Sequence, residues 1–394
     1  MTIINARIET MEGRVIDNGF ARIVNGKFAE IGEMSACSPD GGEIIDAHGL
    51  TMYPGFIDAH CHIGMWEDSL CFEGEDGNED TDPSTPQLRA IDSINPLDRC
   101  YTDAVQAGVT AVCTGVGSAN PVGGSFLVMK THGSKRVDKL VVQSPCAIKF
   151  ALGENPKNTY NDRDETPVTR MAVAAIIRDQ LTKARRYRDD LAEYERLKGT
   201  DDEVSLPDYD AKCEALLPLF DKEHPLKAHF HVHRADDIFT AIRLAKEFSL
   251  DYVLIHCTDG TVIADELAED SPAVVMGPLF GDRGKPELHN HEITTPAVLH
   301  KNGIRFAICT DHPETPIQYL PLTAALAVRG GLDRETALRA ITITAAEIIG
   351  VDGRLGSIAA GKDADFSLFD GDPLDLRVTP KLVYVNGKEA FRAD

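Results

Sequence analysis

The chain lacks any excess of positive charge: 40 lysines and arginines stand against 63 aspartates and glutamates, a formal net charge of −23. Nucleic acids and anionic membrane surfaces both require basic patches, so neither is an expected partner. No apolar run approaches the roughly 20 residues that span a bilayer. The N-terminus, Met1–Ile8, shows no basic segment followed by an apolar core, so a cytoplasmic protein is expected. Also missing is any Cys-x-x-Cys pair. Nine scattered cysteines, an odd number, agree with reduced thiols. Cys61, Cys113, Cys257 and Cys309 lie inside strand-like apolar runs and read as small buried side chains. What is present is length: 394 residues, 43% of them hydrophobic, suffice for two or three domains or for one barrel with additions.

The informative stretch is Tyr-Pro-Gly-Phe-Ile-Asp-Ala-His-Cys-His-Ile-Gly, residues 53–64. Side chains alternate along a strand, so His60 and His62 share a face while Cys61 takes the other. Two neutral imidazoles so placed are half of a site for zinc or a related divalent ion.

The first fifty residues read as short strands with turns such as Asn25-Gly26, and the last forty do the same around Asn386-Gly387. Neither end has enough apolar surface to stand alone. Segments 1–52 and 354–394 are therefore expected to combine into one composite β-sandwich domain beside a central domain, 53–353. There, apolar runs alternate with helical patterns, which implies an α/β fold with parallel strands and right-handed crossovers. Eight strands are predicted at Met52–Ile57, Val109–Thr114, Leu140–Gln143, Ala147–Leu152, Lys227–Val232, Tyr252–His256, Val274–Met276 and Arg305–Cys309. Eight fit a (β/α)8 TIM-like barrel. Helices are predicted at Asp236–Phe248 and, capped by Asp333, at Asp333–Ile349. The charged stretch at about 165–224 exceeds a crossover and reads as a helical insertion. Barrels of this kind collect functional side chains at the C-terminal ends of strands. His60 and His62 stand after the first strand, His231 at the fifth, His256 at the sixth and Asp311 after the eighth.

With these residues in view, the sequence resembles the metal-dependent amidohydrolase superfamily. Pro54-Gly55-Phe56-Ile57-Asp58-Ala59-His60-Cys61-His62 matches its first motif, and residues 356–366, Gly-Ser-Ile-Ala-Ala-Gly-Lys-Asp-Ala-Asp-Phe, look like its C-terminal signature. Residues 78–83, 151–157 and 233–237 are similar to the imidazolonepropionase-like subgroup. The resemblance implies that His60, His62, His231, His256 and Asp311 hold one or two divalent ions, zinc foremost. On the fourth strand two residues compete. Lys149, facing the barrel interior, resembles the lysine that bridges two metals once its amine is carboxylated. Glu154, five residues on, could be aimed at the metals by a bulge or serve as a substrate-side group.

The chemistry follows from these ligands. A divalent ion lowers the pKa of its water from about 16 towards 7 and provides hydroxide at neutral pH. Asp311 would act as the general base and then the acid towards the leaving nitrogen. The expected reaction is hydrolysis of a C-N bond in an amide, a dipeptide or a cyclic amide, with a small molecule as substrate and a homo-oligomer compatible with the sequence. The alternative is an aminohydrolase that deaminates a small heterocycle. Deaminase branches place a glutamate three residues after the fifth-strand histidine, where this chain has Arg234. Candidate substrate groups are His233, Arg234 and, on a glycine-bearing loop with Lys285, Arg283. Salt bridges from Arg234 to Asp236 or Asp237 compete with that role.

Overall fold

A computed structural model describes residues 1–38, 41–199 and 204–393. Eight strands form the central sheet, numbered here β1 (Phe56–Cys61), β2 (Val109–Thr114), β3 (Val122–Lys130), β4 (Val141–Ala151), β5 (Lys227–Val232), β6 (Tyr252–His256), β7 (Ala273–Met276) and β8 (Phe306–Ile308). Their spatial order follows the chain, as in a TIM-like barrel. All six residues of β1 and all six of β2 are buried, so these strands are covered on both faces rather than alternating between core and solvent.

Three expectations are corrected. Met52–Ile57 is not one strand: Thr51–Pro54 pairs antiparallel with Phe366–Phe369 in the terminal sheet, and the barrel begins at Phe56. Leu140–Gln143 and Ala147–Leu152 are not two strands either, because 141–151 runs through as β4, with a register shift that accommodates Ser144-Pro145. The true third strand, Val122–Lys130, runs antiparallel to both neighbours, so the barrel is not all-parallel. Its Gly123-Gly124 pair resembles a turn in sequence. A side chain at Gly124 would sit 2.3 Å from Leu88 O, so this glycine marks a close backbone approach inside a strand.

Around the barrel, the 165–224 insertion is dominated by Arg170–Leu197, 28 residues capped by the Thr169 side chain on Ala172 N. Val173, Ile177, Leu181 and Ala184 form its buried stripe at helical spacing. Residues 200–203 of this insertion lie outside the described residues. The predicted helix 333–349 is divided into Arg334–Ala340, which Asp333 caps through Thr336 N, and Ile343–Ile349. Thr342, at φ −138° and ψ −104°, breaks it. No helix among the described residues is long and apolar enough to cross a membrane.

The terminal segments are hydrogen-bonded into one eight-stranded sheet, with Phe366–Phe369 beside Thr51–Pro54 and Thr51–Pro54 beside Thr2–Glu9. It has its own apolar cluster, which includes Ile3, Ile8, Phe28, Met52, Phe366 and Leu368. A buried ion cluster ties this sheet to the barrel: Lys130, the last residue of β3, meets Asp365 and lies 3.1 Å from Asp363, itself 2.8 Å from Arg354. The Asp-x-Asp of the C-terminal signature is thus a clamp on a barrel lysine.

Barrel closure depends on a second buried carboxylate. β8 is only three residues long, and the join to β1 rests on few bonds: Asp311 N to His60 O at 3.2 Å and His62 N to His312 O at 2.9 Å. Asp58, fully buried, accepts from the Thr310 hydroxyl, from Thr310 N at 3.3 Å and from His60 N at 3.3 Å. Burial pushes its carboxyl up to about 7 against the pull of those bonds.

Lys130→Met should lower unfolding stability by about 3–5 kcal/mol, because it leaves the buried Asp365 without a cation while Asp363 keeps only Arg354 and Lys27; a denaturant midpoint matching the parent would refute the clamp. Asp58→Ala strands the Thr310 and His60 donors, at about 1–3 kcal/mol. It should also increase hydrogen exchange at Thr310 and Asp311, and unchanged protection there would contradict its role in closure.

Candidate metal centre

The strand ends bring five side chains to one mouth. His60 lies within β1 and His62 one residue past its end. His231 is in β5, His256 ends β6 and Asp311 follows β8. Asp311 is their meeting point: its Oδ1 lies 3.2 Å from His62 Nε2 and 3.5 Å from His60 Nε2, and its Oδ2 lies 3.8 Å from His256 Nε2. His231 approaches from the far side, its ring 4.6 Å from that of His256. His256 and Asp311 have φ of 73° and 53°, left-handed conformations that cost a residue with a side chain about 1–3 kcal/mol each and that aim both groups inward.

The donor chemistry fits a divalent cation. His62 Nδ1 lies 2.7 Å from Gly115 O and His256 Nδ1 lies 2.6 Å from Gly277 O. A carbonyl only accepts, so both rings carry their proton on Nδ1 and turn a bare Nε2 towards Asp311. His256 Nε2 is buried with no hydrogen-bond partner. Burial, above all, holds His60 and His231 well below the ordinary histidine range and His256 at about 4, so these imidazoles are neutral at pH 7, as ligands must be. Burial raises Asp311, yet His256 and His62 outweigh it and keep the carboxylate ionised far below its usual range. Bare imidazole nitrogens around an ionised carboxylate are a ready set for zinc-like ions.

Lys149 points into the barrel. Its Nζ lies 3.2 Å from His60 Nε2 and 5.3 Å from the centre of the Phe126 ring. Burial lowers its amine to about 8, which keeps an appreciable neutral fraction near pH 7. Glu154 behaves differently from the sequence expectation. It opens the helix Glu154–Asn161, and its Oε2 accepts from Glu287 N at 3.0 Å, so no bulge turns it to the metal-capable clusters.

The expected substrate cations are occupied elsewhere. Arg234 forms a two-pronged bond to Asp236, both contacts 3.0 Å, and Arg283 binds Glu292 at 2.9 Å and His291 O at 2.7 Å. Neither lines the cavity of about 340 Å³ above the cluster, whereas His233 and Lys285 do, along with Trp66, Asn78, Asn155 and His291. Sequence reasoning missed Asp58, Ser118 and Glu287. Ser118 Oγ lies 2.9 Å from His231 Nδ1, and Glu287 is fully buried beside His231 and His233. Asp58 carried a signal: it shares the inward face of β1 with His60 and His62. Glu287 lies in a single 3-10 turn, Pro286–Leu288, too short for any periodicity to mark it.

Comparison with known proteins agrees with this geometry. The model of the amidohydrolase family matches residues 51–390. A crystal structure of an amidohydrolase from Thermotoga maritima MSB8 superposes with a TM-score of 0.93 at 39% identity over 100% of both chains. Amidohydrolase tasK of Hapsidospora irregularis is 29% identical over 90% of this chain, which spans only 38% of that relative's length. Imidazolonepropionase of Sphingopyxis alaskensis is 26% identical over 94% of this chain and 92% of its own. Adenine deaminase of Listeria monocytogenes is 26% identical over 93% of this chain and 53% of its own. With its barrel, its strand-end histidines and a family match across most of its length, the chain belongs to the amidohydrolase family of metal-dependent hydrolases of carbon–nitrogen bonds, and is imidazolonepropionase-like within it.

Proposed function

We propose that the protein hydrolyses the C-N bond of a small N-acyl amino acid, dipeptide or cyclic amide, using a divalent ion, zinc foremost, held by His60, His62, His231, His256 and Asp311. The observation that carries this reading is the pair of bare Nε2 atoms, His62 and His256, fixed by backbone carbonyls against an ionised Asp311. Bound there, such an ion would acidify a water and polarise the scissile carbonyl. The protein's own part is positional and acid–base. Asp311 takes the proton of the attacking water on its carboxylate and passes it to the leaving nitrogen. Ser118 and Gly277 fix the rings of His231 and His256, so the ligand atoms need not reorganise as charge develops. Lys149, once carboxylated, would add a further anionic ligand to the metal-holding set. Around this barrel, at 53–353, segments 1–52 and 354–394 are read as a composite β-sandwich domain.

The adenine deaminase likeness supports a second reading, removal of an amino group from a small heterocycle. Against it stands Arg234, three residues after His231, bound to Asp236 rather than offering a carboxylate to a ring nitrogen. A panel of N-acyl amino acids, dipeptides, five- and six-membered lactams and aminopurines, assayed for released amine, acid and ammonia, separates the two.

Asp311→Asn should lower kcat by about 10²–10⁴-fold with the fold intact; near-parental turnover would remove Asp311 from the proton path. His62→Ala should release at least one equivalent of metal, as read by plasma mass spectrometry. Full retention would show that the ion is held elsewhere.

A further inference from the structure

We propose that Lys285 seats a carboxylate of the substrate, which makes the substrate an acid whose carboxylate lies a few bonds from the C-N bond that is cut. The inference rests on the hydrolytic reading above and narrows it, setting N-acyl amino acids and carboxyl-bearing dipeptides above neutral amides and unsubstituted lactams.

Lys285 is the one lysine or arginine among the described residues that line the cavity. Its Nζ has a single acceptor among them, Asn155 Oδ1 at 3.4 Å. Good N–H···O bonds measure about 2.7–3.2 Å and an ammonium has three donors, so most of this cation's capacity is unused. Arg234 and Arg283, by contrast, are taken up by Asp236 and Glu292. Glu287, the carboxylate nearest to Lys285 in the chain, does not neutralise it: it is fully buried, its Oε2 accepts from Glu154 N at 3.0 Å, and the two residues form no ion pair.

The ammonium is held in place from two sides. Pro286 restricts the residue before it to extended backbone, and Lys285 has φ of −119° and ψ of 148°. Two residues on, the reciprocal bonds between Glu287 and Glu154, both 3.0 Å, tie this loop after β7 to the helix Glu154–Asn161 after β4. That tie brings Asn155 beside Lys285, and the same amide reaches the cluster, its Nδ2 lying 3.4 Å from His231 Nε2. One side-chain amide therefore spans the gap between the cation and a metal-capable imidazole. A carboxylate on Lys285 and a scissile carbonyl over the cluster fit within one small molecule, as in an N-acyl amino acid, where the carboxylate sits on the carbon attached to the scissile nitrogen. The remaining charged walls repel an anion: Asp282, Asp311 and Glu314 also line this cavity of about 340 Å³, so Lys285 marks the side where a negative group gains. Trp66 closes the β1 side. Its ring centre lies 5.1 Å from that of His62, and a side chain at Gly77 or Gly117 would collide with its indole. It is the chain's only tryptophan and so reports on occupancy of the cavity.

The test follows Trp66 fluorescence of the zinc-loaded protein during titration with N-acetyl-L-alanine, N-acetyl-L-leucine, N-acetyl-L-proline and the carboxamide of each. The parent is compared with Lys285→Met and Lys285→Arg, with circular dichroism and metal content as controls. In the parent at least one acid should half-saturate about 10–100-fold below its carboxamide, the worth of a hydrogen bond between charged groups. That ratio should fall to near one in Lys285→Met and return in Lys285→Arg. A ratio near one in the parent would overturn the proposal, and so would a ratio that survives Lys285→Met, as it must if the metal ion alone holds the carboxylate. Acid-selective binding that depends on Lys285, with no acetate released from any of the acids, would instead defeat the hydrolytic reading and leave the carboxylate seat standing.

Discussion

The joint between β8 and β1 governs everything at the barrel mouth. β8 supplies three residues of regular strand, too few to fix a register by backbone pairing, yet Asp311 has to meet His60 and His62 within a few tenths of an ångström. The Asp58 carboxylate substitutes for missing ladder bonds by gripping Thr310 through both its amide and its hydroxyl while also accepting from His60 N. Its burial is costly, as its raised pKa records, and the cost is offset by a closure that sets the relative position of two strand ends.

A second constraint is electrostatic. Several imidazoles and an amine crowd the barrel mouth, and burial resolves the crowding by keeping His60, His231, His233 and His256 neutral. That neutrality is what makes them ligands rather than cations. Asp311 is held well below the usual carboxylate range, and its negative charge marks where positive charge belongs.

Much of this was legible in the sequence wherever a strand is a continuous apolar run that ends in a ligand-type residue. β2, β5 and β6 lie where the runs placed them, and His256 ends its strand. Legibility failed where backbone contacts rather than side-chain pattern decide. Val122–Lys130 hides behind Gly123-Gly124, whose job is to let Leu88 approach, and the break at Thr342 has no Pro or Gly to announce it. The substrate-side arginines failed for another reason: Asp236 and Glu292, close in sequence and space, satisfy Arg234 and Arg283 outside the cavity. Glu154 and Glu287 are linked only by reciprocal bonds between distant segments, which no local reading can find.

The measurement that tests the central claim most directly is anomalous diffraction at the zinc edge from crystals grown with Zn²⁺. The account predicts an anomalous peak about 2.0–2.2 Å from the Nε2 atoms of His60 and His62 and from an Asp311 oxygen. A fully ordered site with no peak there, or with zinc bound only at the surface, would contradict it.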